Sequence, residues 1–173
     1  MNVIRKLDKR EVIELLNKCW MTHDGMWFYH CMQKFGIGVA NRLNKEAIAS
    51  MAPMEVAKIR ETLGISKRKL ETFEEFKTFF DGARLLRVPD FMNAVFDFPR
   101  ENILRWEFEP EACFAYKGIT RIGAIDQYEC GVLYRIECWL RSMEIPYEVD
   151  PQITGCLMHS AGYCSGEFCL DFQ

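Results

Sequence analysis

Near Pro89 the apolar residues change their period, from helical three-and-four spacing to alternation, and no all-helical or all-strand fold accommodates both. Before that point Val12, Leu15, Leu16 and Cys19 recur at helical spacing behind Asp8, a residue type that caps helix starts. Phe35-Gly36-Ile37-Gly38 breaks this first helix, a second is expected from about Val39 to Ser50, and Pro53 opens a third that ends at Gly64. Ser66 is placed to cap a fourth, through Leu70, Phe73, Phe76 and Phe80. The basic run Ser66-Lys67-Arg68-Lys69 is then an exposed helix start.

Beyond Pro89, Met92, Ala94, Phe96 and Phe98 alternate with Asn93, Val95 and Asp97, and Leu104, Trp106 and Phe108 alternate with Arg105, Glu107 and Glu109. The run Ala112 to Lys117 supplies a third strand of a meander with one wet face. Gly123 to Met143 returns to helical spacing as one long helix that covers the sheet. Tyr147 to Val149, Gln152 to Met158 and Glu167 to Phe172 read as short strands, the last two forming a hairpin around SAGYCSG. The expected class is α+β: a helical half, residues 1–88, packed with an antiparallel sheet, one long helix and a C-terminal β-hairpin over 89–173, all in one domain.

Composition narrows the function classes. Hydrophobic residues are 49% and charged residues 27%, the balance of a folded chain with a core of its own. A net charge of -3 offers no general basic field, so neither nucleic acid nor an anionic membrane is an expected partner. Charges interrupt every apolar run of MNVIRKLDKREVIELL, which leaves no signal-peptide core and no spanning segment, and a cytoplasmic location is expected. In that compartment the eight cysteines read as thiols, buried or metal-bound, rather than as a disulfide framework.

Two segments concentrate chemistry. In Trp20 to Cys31, an unbroken helix puts Cys19, His23, Met26, Trp27 and His30 on one arc with Val12, Leu15 and Leu16, which the pattern turns inward. Both histidines would then face the core, as polar groups satisfied by hydrogen bonds or as fixtures of a small-molecule pocket walled by Trp20 and Trp27 and oriented by Asp24. Seven residues separate the histidines, about 10 Å along the axis, too far to chelate one ion together. The tail places Cys156, His159, Cys164 and Cys169 within fourteen residues, a donor set suited to zinc or another thiophilic ion if the turn and the final strand converge. Cys113, Cys130 and Cys138 read as packing residues.

Trp20, Asp24, Gly25, Trp27 and Phe28, followed by Phe35-Gly36 and Ala40, form a W-x3-D-G-x-W-F…F-G…A pattern. It resembles that of an uncharacterised family of prokaryotic cytosolic proteins close to the L-2-amino-thiazoline-4-carboxylate hydrolase-like proteins. The tail pattern at Cys164, Gly166, Glu167, Cys169 and Phe172 is similar to that of vinyl-4-reductase-type sensor domains. The resemblance implies an α+β cytosolic domain that binds a small ligand, with tail cysteines that hold zinc in the sensor relatives. Their longer interval between cysteines is matched better by Cys156 and Cys164 than by Cys164 and Cys169.

The leading expectation is a small-molecule-binding domain, able to self-associate, with a metal at the C-terminal hairpin. The alternatives are a C–N hydrolase, either cysteine-dependent or metal-assisted, and an interaction module without chemistry.

Overall fold

A computed structural model of the chain describes residues 7–66 and 69–172. Helix α1 spans Lys9–Phe35 and begins in a reciprocal cap: Glu11 N donates to Asp8 Oδ1 and Asp8 N to Glu11 Oε2, both at 2.8 Å. Gly36, with φ +84°, ends it and starts α2, Ile37–Thr62. The two helices expected on either side of Pro53 are one. Pro53 removes a backbone donor, but it sits on the exposed side while Ala52, Val56 and Ile59 carry the buried stripe straight past it. Packing along that stripe outweighs the local defect.

Helix α3, Phe73–Arg87, is capped by Thr72, whose hydroxyl accepts from Glu75 N, and not by Ser66. Lys67 and Arg68 of the basic run lie outside the described residues. After a 3-10 turn at Asp90–Met92 come β1, Ala94–Asp97, and β2, Ile103–Phe108. Next follow α4, Phe114–Arg121, a second 3-10 turn at Ile125–Gln127, and α5, Gly131–Ser142. The chain closes with β3, Tyr147–Asp150, α6, Leu157–Ala161, and β4, Cys164–Leu170. The expected third strand at Ala112 to Lys117 is therefore the start of α4, and Gln152 to Met158 is loop and helix start rather than strand. The long helix expected from Gly123 is likewise a 3-10 turn and a shorter α5.

The sheet has the order β1-β2-β4-β3, with every pair antiparallel, and β3 with β4 forms the C-terminal hairpin around α6. Leu104, Trp106 and Phe108 of β2 lie opposite Phe168, Gly166 and Cys164 of β4 and face the core. On the other face Arg100 reaches Glu167 at 2.7 Å, and Arg105 pairs with Asp97, which is the expected wet side. Gly166 is required by its neighbours, since a Cβ there would come within about 2.5 Å of both the Asp150 carbonyl oxygen and Trp106 Cζ2.

The helices meet at one carboxylate that is largely shielded from water. Glu55 of α2 accepts from Arg87 of α3 at 2.6 Å, from Arg135 of α5 at 2.8 Å and from Trp139 Nε1 at 3.0 Å. Trp20 of α1 lies over both guanidinium groups, 4.5 Å from Arg87 Cζ and 4.8 Å from Arg135 Cζ. Glu55 keeps only 10% of its side chain exposed, so its removal leaves two largely shielded cations without their anionic partner. Glu55→Ala is expected to lower the unfolding free energy by about 3 kcal/mol in urea titration. A loss under 1 kcal/mol would show that the arginines re-solvate freely.

Candidate functional site

The front segment does not form the expected inward site. Its predicted arc exists, but it points to solvent: His23, Asp24 and His30 are exposed, as are Leu15, Leu16, Met26 and Trp27. What α1 turns inward is Asn17, Trp20 and Phe28. Asn17 Nδ2 donates to Leu86 O at 3.0 Å, so a polar residue occupies the buried side and the hydrophobic pattern misleads. Trp20 is the one member of the expected ligand set that packs inward, and it does so on two arginines.

The tail set divides as well. His159 is exposed, with Nε2 2.8 Å from Asp126 Oδ1. Cys164 and Cys169 are five apart on β4 and so project from opposite faces: Cys164 is buried and Cys169 exposed. Cys156 and Cys164 do come together, and two cysteines expected only to pack join them. Cys113, Cys130, Cys156 and Cys164 line one cavity of ≈ 20 Å³, with Tyr128 and Phe108 among its other walls.

Each cysteine arrives on a different element. Cys113, Cys130 and Cys156 are the residues immediately before α4, α5 and α6, and Cys164 opens β4. Asn41 of α2 fixes the approach to Cys130, its Nδ2 donating to Gln127 O at 2.7 Å and its Oδ1 accepting from Glu129 N at 3.3 Å. Phe28 of α1 packs edge-on against Tyr128 from the same side, and the His159–Asp126 contact ties α6 to the turn that precedes α5. The two halves of the chain therefore meet around the thiols.

Burial pushes all four thiols up from the ordinary value of 9.0, Cys130 and Cys164 to about 12, and neighbouring thiols add to the effect at Cys113, Cys130 and Cys164. Opposing this, the backbone amides of Ala115 and Tyr116 face Cys113, those of Val132 and Leu133 face Cys130, and those of Met158 and His159 face Cys156. None of these closes a capping hydrogen bond onto a neutral thiol. Trp106, fully buried, leaves Nε1 without a hydrogen-bond partner while its indole N–H favours the thiolate of Cys164. The site is thus a set of neutral thiols faced by helix-start amides and the Trp106 indole N–H, donors that favour the ionised sulfur.

Among the described residues, no three His, Cys, Asp or Glu side chains stand close enough to hold a metal ion as they are. No helix among them is long and apolar enough to cross a membrane. The chain matches the model of a family of unknown function, DUF6125, over residues 4–84, which takes in α1, α2 and most of α3 and stops short of every cavity cysteine. No curated protein and no solved structure matches the chain.

The folded state holds the protons of Cys130 and Cys164 more tightly than the unfolded chain does. Their contribution to the chelator-treated protein is fully present below pH 9 and is lost as pH rises toward 12. The melting temperature is expected to fall across that window, less steeply in the double variant Cys130→Ser, Cys164→Ser. Equal slopes would place the titration elsewhere.

Proposed function

We propose that this chain is a thiolate metal-binding domain whose centre is held by Cys113, Cys130, Cys156 and Cys164. The observation that carries this reading is the convergence of four thiols from four separate elements on one cavity, with no His, Asp or Glu in its lining. All-sulfur donor sets belong to thiophilic ions, zinc and iron first among them. The zinc expected at the tail keeps two of its ligands, Cys156 and Cys164, and exchanges His159 and Cys169 for Cys113 and Cys130.

The surrounding donors support the same reading. Ligation would release four protons, and the anionic sulfurs would be favoured by the amides at the starts of α4 and α5 and by the indole N–H of Trp106. A centre of this kind supplies folding free energy and, with a redox-active metal, an electron site. Its ligands tie α4, α5, α6 and β4 to one point, so occupancy would fix the C-terminal hairpin against the helical half. A small-molecule role for His23, Asp24, Trp27 and His30 would require a further surface to close over the outer face of α1.

Elemental analysis of protein produced in iron- and zinc-supplemented medium, purified untagged under anaerobic conditions, tests the assignment. Metal stoichiometric with the chain is expected, lost in Cys113→Ser and Cys130→Ser and retained in Cys169→Ser and His159→Ala. The reading is wrong if the folded protein carries no metal, or if content follows Cys169 and His159 instead.

A further inference from the structure

The outer face of α1 takes no part in the thiol cavity, and it is apolar along most of its length. Leu15, Leu16, Met26 and Trp27 are 55%, 63%, 50% and 62% exposed. Cys19, His23 and His30 lie exposed between and beyond them. The exposed parts of the four large side chains come to on the order of 500 Å², the scale at which an apolar patch is commonly a functional surface.

The order of residues within that face decides what fits on it. Val12, Leu16, Cys19, His23, Met26 and His30 follow one another at intervals of four, three, four, three and four, the a/d spacing of a coiled-coil seam. They lie on the side of the helix opposite Met21, which packs on the core, and Leu15 and Trp27 border them on the two edges. The intervals read the same in both directions. An antiparallel copy of the helix therefore offers a matching seam, with Leu16 opposite Met26 of the second copy, Cys19 opposite His23, and Val12 opposite His30. Each layer recurs by symmetry on the far side of the centre at Met21.

Charge and area select the same occupant. Between Val12 and His30 the charged side chains are Glu14, Lys18 and Asp24, and all three fall outside the seam and its borders. A two-fold contact sets a surface against itself, and this one brings no carboxylate or lysine against its own kind. With no basic border, it also lacks what an amphipathic helix uses to lie on an anionic membrane. Doubled over two copies and extended by Cys19, His23 and His30, the patch reaches roughly the 1,200 Å² at which stable interfaces begin.

We propose that α1 is a self-association surface, paired antiparallel with α1 of a second copy about a two-fold axis at the level of Met21. One surface used by both copies closes a dimer and leaves nothing for further growth. The pairing takes Leu16, Met26 and Trp27 out of water and gives His23 and His30 a surface to pack on. Cys113, Cys130, Cys156 and Cys164 lie on other elements, so the pairing and the metal assignment stand or fall separately.

Sedimentation velocity of the full chain over a range of concentrations tests the pairing. A dimer is expected, with monomer recovered on dilution. Leu16→Glu and Met26→Glu should each weaken association by about 100-fold or more, since every dimer carries the change twice. Their circular dichroism should be unchanged, because both positions are exposed in the single chain. Mixing Leu16→Lys with Met26→Glu sets opposite charges against each other in one layer, and the mixture should dimerise more tightly than either variant alone. A short bismaleimide should join Cys19 to Cys19 of the second copy, about 10 Å away at ordinary interhelical distance, in Cys169→Ser but not in Cys19→Ser. A chain monomeric at every concentration, or a dimer indifferent to Leu16→Glu and Met26→Glu, would overturn the proposal. A mixture no tighter than its components would overturn the antiparallel register on which it rests.

Discussion

Glu55 is the point from which the positions of the other elements follow. One carboxylate, almost wholly removed from water, engages an arginine from α3, an arginine and a tryptophan from α5, and through those arginines the ring of Trp20 on α1. A charge in that position is tolerable only while its partners are in place, so the four helices are held to one mutual arrangement. The alignment extends along α2 to Asn41, which holds the segment just before Cys130, and along α1 to Phe28, which packs on Tyr128. The helical half thus buttresses the cavity from outside, although every residue that lines it lies beyond Pro89.

The sheet contributes the opposite wall by register. Antiparallel pairing of β2 with β4 places Trp106 over Gly166 and sets Cys164 beside Phe108, with the indole nitrogen at the edge of the thiol group. The β3–β4 hairpin encloses α6, so Cys156 and Cys164 approach from the two ends of one short excursion. Four sulfurs reach a common space because four kinds of packing constraint coincide there. The chemistry follows from burial, which disfavours thiolate, and from the N–H groups that face the sulfurs, which favour it.

Much of the architecture was legible from the residues. The change of period at Pro89 marks the passage from helices to sheet, Asp8 with Glu11 announces the first cap, and the alternation through Leu104, Trp106 and Phe108 identifies the inner face of β2. The errors share a cause: local pattern does not say which side a neighbour will cover. On α1 the arc of Leu15, Leu16, Met26 and Trp27 is left exposed, while the side that is buried includes Asn17 and Trp20, which make polar and cation contacts. Pro53 punctuates the sequence without interrupting α2, and the short apolar run at Ala112 to Lys117 suits a strand as well as the helix start it forms.

The cysteine cluster was half legible. Proximity in sequence pointed to Cys156 and Cys164 and also, wrongly for the cavity, to His159 and Cys169, which the strand face and the exposed end of α6 carry away. Cys113 and Cys130 are distant in the chain and lack any tight spacing to the others. The one available signal is that each precedes a helix start, where amides await an anion. The most direct measurement is X-ray absorption at the metal edge of the anaerobically purified protein. The account predicts a coordination shell of sulfur alone, four sulfurs to each metal. A shell dominated by nitrogen or oxygen would contradict it.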